Sequence, residues 1–336
     1  EFPLEDISKL FPDYYLNYLI DTLPFIGLDL EYRDDKCIRL EYSPNRPDFS
    51  TFYGIARALS GLIGKELGIP KFQVIEKKKN MIRVDTSVYD MRPFIVGIVA
   101  RNHKLSNKTI KQIVSMQEDL HNGIGRRRSK ASIGFHNLGN IEFPLDYTTA
   151  LENLSFTPLD YTSALTLTEI LHKTDTGKKF GELVNGSNYP VIKDSRNTVI
   201  SFPPIINSEF TRIEEGVDNM FVEVTGTDKK TVNHVLANII ATLADIGFEL
   251  ENVLIKRNSN NILSYDSEMN IIFENIQLDY INKVLCLSLR SEEIFDCLHK
   301  CRLDAEVNAS GSIYCIIPNY RIDIFSPIDI VEEVAI

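Results

Sequence analysis

One apolar segment, residues 94–100, constrains the fold of this chain most strongly. Its sequence, Phe-Ile-Val-Gly-Ile-Val-Ala, is almost continuously apolar, as expected of a strand that is covered on both faces. We therefore predict a central strand within a sheet. A second β-type run occurs at residues 220–225.

Two amphipathic helices are predicted in the same region. Ser106 can cap a helix that ends at Gly123 or Gly125. Residues 229–246 carry a wide apolar stripe, and Gly247 supplies the C-cap. Mixed strands and helices of this length predict one α/β domain built around a twisted sheet.

The N-terminal part of the chain predicts a small α/β unit. A first helix ends near Asp21, and residues 37–42 alternate apolar and polar side chains as a strand does. A turn at residues 45–48 leads into a second helix at residues 52–62.

The C-terminal part predicts a winged-helix-like module. A strand-like segment at residues 269–273 precedes a helix that is capped by Ser291 and ends near Cys301. A tight turn at residues 309–311 leads to a strand at residues 312–317, and a last helix follows.

A charged segment at residues 72–80 marks a domain boundary. The predicted domains therefore span residues 1–78, 79–257 and 258–336. The fold class is α/β, in full a multidomain α+β arrangement.

Four carboxylates lie at or beside the start of the last helix: Asp323, Asp329, Glu332 and Glu333. Ser326 is a good N-cap, and Pro327 fits the first turn, where its missing N–H costs nothing. Carboxylates that converge on one point would repel one another unless a hard cation such as Mg²⁺ lay between them. The other interpretation is an ordinary helix start, where acidic side chains are favoured by the helix dipole.

The charge of the chain, −11 over 336 residues, argues against nucleic-acid binding through a generally basic surface. Any RNA contact must be local, and the densest basic run supplies the candidates Arg126, Arg127, Arg128 and Lys130. A solvated charge run is the alternative. No segment has the length of a membrane span and no secretion signal is indicated, so we expect a cytoplasmic protein.

Four segments resemble, in the same order, the beta subunit of phenylalanyl-tRNA synthetase in its archaeal and eukaryotic cytosolic form. They are residues 43–49 with 54–59, residues 131–138 with 202–207, residues 222–228, and residues 318–335. The resemblance implies the family's first domain, its B3/B4-type editing domain and its tRNA-binding-type B5 domain. Because the chain stops at Ile336 within an apolar helical pattern, we expect a fragment that lacks the family's C-terminal catalytic-like module.

The activity that this resemblance implies is hydrolysis of tyrosine wrongly attached to tRNA(Phe). An apolar synthetic pocket rejects an added hydroxyl by only about a hundredfold, whereas a buried acceptor for the phenolic O–H discriminates better. Glu223 is the candidate acceptor. Thr225 lies on the same strand face and is the candidate for binding substrate or holding the attacking water. Pattern alone also allows Glu223 to be a solvent-facing strand residue.

Further substrate-binding residues are expected around these two: Ser201, Pro203, Pro204, Asn207, Gly226 and His136. Residues 201–207 form either a stiff wall or a plain edge strand. His136 either orients substrate or is an ordinary loop histidine, and the next residue is Asn137 where the family usually has aspartate, which weakens a catalytic role for that loop. Asp228 is expected to close the turn or to cap the next helix. No Ser–His or Cys–His pair is indicated, so a positioned water is expected to attack.

The partners that the resemblance implies are the alpha subunit and tRNA(Phe), in an assembly of two alpha and two beta chains. ATP and phenylalanine would bind to the alpha subunit, and Mg²⁺ would bind at the subunit interface through the four carboxylates. The alternative is a non-catalytic scaffold that binds the alpha subunit and tRNA and has no hydrolytic activity of its own.

Overall fold

The computed structural model describes residues 2–258, 261–263, 271–307 and 312–336. The chain forms two compact units, residues 1–72 with 268–336 and residues 73–267. Residues 1–72 of the predicted first domain and residues 268–336 of the predicted third domain therefore share one unit, and the predicted second domain makes up most of the other.

The α-helices of the described residues are α1 (Leu4–Leu10), α2 (Leu16–Thr22), α3 (Phe52–Leu62), α4 (Asn107–Asn122), α5 (Leu167–Lys173), α6 (Asp175–Phe180), α7 (Lys229–Ile246), α8 (Leu278–Leu285), α9 (Ser291–Lys300) and α10 (Pro327–Ala335).

The strands up to the middle of the chain are β1 (Phe2–Pro3), β2 (Leu28–Arg33), β3 (Cys37–Tyr42), β4 (Val74–Ile75), β5 (Met81–Val84), β6 (Phe94–Arg101), β7 (Ala131–Asn137), β8 (Leu145–Leu151), β9 (Ser155–Phe156) and β10 (Leu165–Thr166). Those that follow are β11 (Asn188–Lys193), β12 (Val199–Phe202), β13 (Ile206–Asn207), β14 (Met220–Gly226), β15 (Glu249–Asn252), β16 (Leu254–Asn258), β17 (Asn261–Leu263), β18 (Ile271–Ile276), β19 (Asp304–Val307) and β20 (Ile313–Ile317).

The N-terminal part of the first unit contains a sheet in the order β1-β3-β2. Strand β3 and helix α3 have the predicted bounds. A helix ends beside Asp21 as predicted, at Thr22, but two helices, α1 and α2, occupy the stretch that was predicted as one. Pro12 lacks an N–H and disfavours helical backbone at Phe11, so α1 stops there.

The C-terminal part of the first unit contains a sheet in the order β18-β20-β19. Helix α10 begins at Pro327 after the predicted cap Ser326. Helix α9 has Arg290 and not Ser291 as its N-cap, and α8 lies where no helix is predicted. The predicted turn at residues 309–311 lies outside the described residues, as does the start of the strand predicted at residues 269–273.

Helix α3 packs against the end of α9 within this unit. Gly61 allows the approach, because a Cβ at this position would clash with the carbonyl oxygen of Lys300. The guanidinium of Arg57 lies 4.2 Å from the ring centroid of Tyr320. These contacts join the first and third predicted domains.

The second unit contains a seven-stranded sheet, β13-β12-β11-β8-β5-β16-β17, a five-stranded sheet, β4-β15-β6-β14-β7, and the pair β10-β9. Strand β6 lies in the middle of the five-stranded sheet, as its apolar sequence predicts. Helix α4 has the predicted cap Ser106, and α7 has the predicted bounds, with Asp228 as its N-cap and Gly247 as its C-cap. Gly247 has a φ of 108°, which favours glycine. Helix α7 packs on β6 and β14.

A search of the described helices finds none with the length and apolar character needed to cross a membrane.

Candidate functional site

A cavity of about 230 Å³ lies in the second unit, among residues of β7, β14, helix α4 and the hairpin of β12 and β13. Its lining includes five residues predicted from the sequence: Ser201, Pro203, Pro204, Asn207 and Glu223. Ser201 and Asn207 lie on strands of one sheet and Glu223 on a strand of the other, so the fold brings them together as the sequence predicts.

Glu223 lies in the middle of β14 and is only 2% exposed, which excludes a solvent-facing role. Its Oε1 atom accepts a 3.0 Å hydrogen bond from the hydroxyl of Ser201, which also lies 3.3 Å from Oδ1 of Asn207. The Oε2 atom has no hydrogen-bond partner in the part of the chain that the structure describes. A buried polar atom without a hydrogen-bond partner costs about 1–3 kcal/mol of free energy. A ligand that donates a hydrogen bond to Oε2 would remove this cost.

His136 on β7 is fully buried beside Glu223. Its Nδ1 lies 2.8 Å from the hydroxyl of Thr211, which makes a longer 3.3 Å contact with the Ser208 carbonyl. Because the Thr211 hydroxyl donates its one proton to that carbonyl, Nδ1–H donates to Thr211, and Nε2 is left as an unprotonated acceptor. Nε2 is 4.0 Å from Glu223 Oε1 and has no hydrogen-bond partner among the described residues.

Gly134 keeps open the space between these two side chains. It is paired with Glu223 across β7 and β14. A Cβ at residue 134 would lie 2.6 Å from Glu223 Oε1 and equally close to His136 Nε2. Only glycine leaves this space free for an atom of a ligand.

Thr225 does not line the cavity defined by the described residues, although it lies on the same strand face as Glu223. Its hydroxyl accepts a 2.9 Å hydrogen bond from Nε of buried Arg92 and lies 3.1 Å from the hydroxyl of Ser132. Gly226 lies against the carbonyl oxygen of Lys130, with which a Cβ would clash. Both residues therefore support the pairing of β14 with β7 behind the cavity wall.

Helix α4 adds Glu118, which lines the cavity, and His121, which is buried. The backbone N–H of Ile133 donates to His121 Nε2 over 2.9 Å, so the ring proton is on Nδ1, 3.2 Å from Glu118 Oε1. Arg128 Nη2 lies 3.3 Å from the same oxygen. The hydrogen bond from His121 and the charge of Arg128 lower the pKa of Glu118 to about 2. Burial lowers the pKa of His121, so Glu118 is ionised and His121 neutral at pH 7.

Arg128, predicted as an RNA contact, is built into the cavity wall. Its Nη1 atom donates to the carbonyl oxygens of Pro204 and Ile205 over 3.2 and 3.0 Å. Its guanidinium lies 4.3 Å from the ring centroid of Phe180. Arg128 thereby ties the wall at residues 203–205 to Glu118 on helix α4.

The other members of the basic run lie on the surface. Arg126, Arg127 and Arg128 have φ values of 50°, 52° and 67°, a left-handed turn that L side chains rarely adopt. The turn buries most of Arg128, whereas Arg126, Arg127 and Lys130 are exposed. Three cations are thus displayed beside the cavity.

Two of the four carboxylates predicted to bind Mg²⁺ in the first unit are paired with an arginine. The buried guanidinium of Arg321 lies 2.6 Å from a carboxylate oxygen of Asp323 and 2.5 Å from one of Glu333. Burial alone would raise the pKa of Asp323, but the positive charge of Arg321 lowers it. Arg321 therefore already supplies the positive charge that these two carboxylates need.

The other two carboxylates point elsewhere. Asp329 Oδ2 accepts hydrogen bonds from the backbone N–H groups of Phe325 and Ser326, and Glu332 is exposed. No group of three or more His, Cys, Asp or Glu side chains in the described part of the chain is arranged to hold a metal. As arranged, these residues do not fit Mg²⁺.

Sequence reasoning missed Glu118, His121 and Arg92. A signal existed for the first two, because they lie three residues apart on one face of an amphipathic helix that leads into the basic run. Arg92 lies in a connection without a motif, and only the fold brings it to Thr225.

Comparisons with known proteins agree over the length of the chain. Residues 275–336 match the family model described as tRNA synthetase B5 domain. The phenylalanine–tRNA ligase beta subunit of Archaeoglobus fulgidus is 38% identical over 319 residues, which cover 95% of this chain and 57% of that protein. The beta subunit of Methanococcoides burtonii is 34% identical over 336 residues, covering 99% and 61%. This chain thus spans 57% and 61% of the length of these two relatives.

A solved structure has the same fold. The crystal structure of an N-terminal fragment of the phenylalanyl-tRNA synthetase beta subunit from Pyrococcus horikoshii matches with a TM-score of 0.92 and 30% identity. The match covers 99% of this chain and 97% of that one.

Proposed function

This chain belongs to the phenylalanyl-tRNA synthetase beta-subunit family, and on that premise we propose that its cavity at Glu223 hydrolyses tyrosine wrongly attached to tRNA(Phe). A cavity of about 150 Å³ is enough to bind benzene. The volume of about 230 Å³ is therefore sufficient for a phenol ring.

The observation that carries this proposal is the buried carboxylate oxygen Oε2 of Glu223, which has no hydrogen-bond partner among the described residues. A phenol can satisfy Glu223 Oε2, because its O–H donates to the carboxylate. Phenylalanine has no O–H and would leave Oε2 unsatisfied, at about 1–3 kcal/mol. A site of this kind rejects the analogue that lacks the hydroxyl.

In the proposed reaction a water oxygen bonds to the ester carbonyl carbon and the bond from that carbon to the ribose oxygen breaks. The ribose oxygen takes up the proton that the water gives up. Glu118 can accept a hydrogen bond from this water and orient it. With a pKa of about 2 it is a weak base, so orientation and not proton removal is its role.

The wider function belongs to the whole beta subunit. We propose that it supports formation of phenylalanyl-tRNA(Phe) in a cytoplasmic assembly of two alpha and two beta chains, with ATP and phenylalanine on the alpha subunit. The exposed Arg126, Arg127 and Lys130 would contact tRNA phosphates. Mg²⁺ stays a prediction for that assembly, and no step of the hydrolysis proposed here depends on it.

Deacylation assays test the proposal. Tyrosyl-tRNA(Phe) and phenylalanyl-tRNA(Phe) are each incubated with the 336-residue chain and with the beta subunit assembled with its alpha subunit. We expect selective loss of the tyrosyl ester, and a lower kcat in Glu118→Gln. Asp146→Asn is the matched control, because this carboxylate is paired with Arg83 on the surface. If the assembly hydrolyses neither ester, the chain is the non-catalytic scaffold.

A further inference from the structure

Arg92 is a buried arginine that makes no ion pair within the described part of the chain. Burial lowers the pKa of its guanidinium to about 10, so the side chain is still a cation at pH 7. A buried cation is usually paired with a carboxylate, because removing a charge from water costs free energy. Arg92 instead donates hydrogen bonds to neutral oxygen atoms on two different segments.

The first of these segments is the pair of strands β14 and β7 behind the cavity wall. Nε of Arg92 donates to the hydroxyl of Thr225 over 2.9 Å, and Nη2 donates to the carbonyl oxygen of the same residue over 2.7 Å. Nη2 also lies 3.0 Å from the hydroxyl of Ser132. Thr225 and Ser132 are opposite each other where β14 pairs with β7. These contacts fix the guanidinium to the paired strands.

The second segment is the loop between α4 and β7, of which we call residues 126–130 the arginine turn. Nη2 of Arg92 lies 3.1 Å from the carbonyl oxygen of Arg128, and Nη1 lies 3.3 Å from the carbonyl oxygen of Ser129. Both acceptors are backbone atoms. Arg92 therefore ties the backbone of the arginine turn to the paired strands.

The arginine turn needs such support because its backbone is unfavourable. Arg126, Arg127 and Arg128 have φ values of 50°, 52° and 67°. In this left-handed conformation the Cβ atom of an L residue lies too close to the following carbonyl oxygen, so the turn costs free energy at each of the three residues. Such a conformation persists only where the surrounding structure fixes it, and it occurs most often at functional sites.

We propose that Arg92 is a positioning residue for the hydrolysis and acts through Arg128. This inference rests on the proposed function of the cavity. Arg92 holds the backbone from which the Arg128 side chain reaches Glu118 and the carbonyl oxygens of residues 204 and 205. Glu118, which orients the attacking water in the proposed reaction, is thereby kept in place.

Kinetics of the beta subunit assembled with its alpha subunit test this role. Arg92→Met removes the guanidinium and should lower the single-turnover rate of tyrosyl-tRNA(Phe) hydrolysis by about tenfold or more. Because Arg92 acts through Arg128, the double variant with Arg128→Met should be no more than about twofold slower than Arg128→Met alone. Two losses that multiply in the double variant would overturn the proposal, because the two arginines would then act independently.

Arg92→Lys separates the geometry of this side chain from its charge. The carboxylate of Glu223 attracts the Arg92 cation, so the effect of charge alone has to be measured. Lysine keeps the charge but offers a single ammonium group in place of the guanidinium fork, so its rate should fall as in Arg92→Met. Full activity in Arg92→Lys would overturn the proposal. Arg83→Met is the matched control, because this arginine is paired with Asp146 on the surface.

Limited digestion of the 336-residue chain with trypsin reports on the arginine turn itself. The turn contains cleavage sites after Arg126, Arg127, Arg128 and Lys130. Cleavage requires local opening of the backbone, so both Arg92 variants should be cut there about tenfold faster than the wild type, with cleavage elsewhere unchanged. Mass spectrometry identifies the sites. Faster cleavage throughout the chain would overturn the positioning role, because Arg92 would then support only the general fold.

The outcomes separate the two proposals. A folded Arg92→Met enzyme that hydrolyses the tyrosyl ester at the wild-type rate would overturn the inference and leave the proposed hydrolytic site standing. If the wild-type assembly hydrolyses neither ester, the proposed function fails, and the inference fails with it. Urea unfolding shows whether each variant is folded, and if Arg92→Met is not, Arg92→Lys decides.

Discussion

Replacing Glu223 with alanine should reduce the discrimination between tyrosyl and phenylalanyl esters in two ways. It should slow hydrolysis of the tyrosyl ester and speed hydrolysis of the phenylalanyl ester. The wild-type carboxylate can accept a hydrogen bond from the tyrosine hydroxyl through Oε2, which has no partner among the described residues. The same atom is left desolvated and unsatisfied when phenylalanine enters. Alanine removes the favourable contact for tyrosine and also the penalty against phenylalanine.

The size of the expected loss of discrimination follows from the burial of the Glu223 carboxylate. A hydrogen bond to a charged group contributes about 1.5–3 kcal/mol, and a buried polar atom without a partner costs about 1–3 kcal/mol. With the carboxylate only 2% exposed, both effects apply in full. The ratio of kcat/KM values for the two esters should therefore fall by roughly 10² to 10⁴-fold.

The assay is single-turnover deacylation of tyrosyl-tRNA(Phe) and phenylalanyl-tRNA(Phe) by the assembled enzyme. Tyrosyl ester hydrolysis should slow, and phenylalanyl ester hydrolysis should rise. Urea unfolding of Glu223→Ala shows whether the variant is folded, and Asp146→Asn serves again as the surface control. A folded Glu223→Ala enzyme that keeps the wild-type ratio would refute the assignment of Glu223.

Three further perturbations test other parts of the site and fold. Gly134→Ala places a methyl group in the space beside Glu223 and should weaken binding of tyrosinamide by about tenfold or more, measured by calorimetry; unchanged affinity would contradict this. Because the pKa of His121 is lowered in the folded chain, its contribution to stability is full above about pH 6.5 and is lost as pH falls below that value. Urea unfolding between pH 8 and pH 5 measures this loss, which His121→Asn should remove. Arg321→Met should lower the free energy of unfolding at pH 7 by about 3–5 kcal/mol, because it leaves two largely buried carboxylates without their cation; a loss below about 1 kcal/mol would contradict that pairing.

Local signals in the sequence were sufficient for most of the regular structure. Ser106 marks the start of helix α4 and Gly247 marks the end of helix α7, because a cap acts on the backbone groups of the adjacent helical turn. The apolar run of β6 is typical of a strand covered on both faces, and β6 does lie in the middle of its sheet. Pro12 is the local signal that divides the predicted first helix into α1 and α2.

The site was less predictable because its contacts are tertiary. Glu223 and Ser201 could be named separately, but their hydrogen bond joins strands of different sheets. Thr225 is on the expected strand face, but its hydroxyl accepts a hydrogen bond from Arg92. Nothing in the sequence near either residue indicates that contact.

The four carboxylates at or beside the start of helix α10 also make contacts that their spacing in the sequence does not indicate. The spacing of its carboxylates is compatible with a cation site, but two of them pair with Arg321, which the helical pattern does not include. A pattern of like charges cannot show which counterion the fold provides.

The most direct test is a crystal structure of the 336-residue chain bound to tyrosine joined through an amide to 3′-amino-3′-deoxyadenosine, an analogue of the tyrosyl ester that resists hydrolysis. We expect the phenol oxygen within about 3.2 Å of Glu223 Oε2. A tyrosyl ring bound outside this cavity, or bound with its hydroxyl directed to solvent, would contradict the proposed editing site.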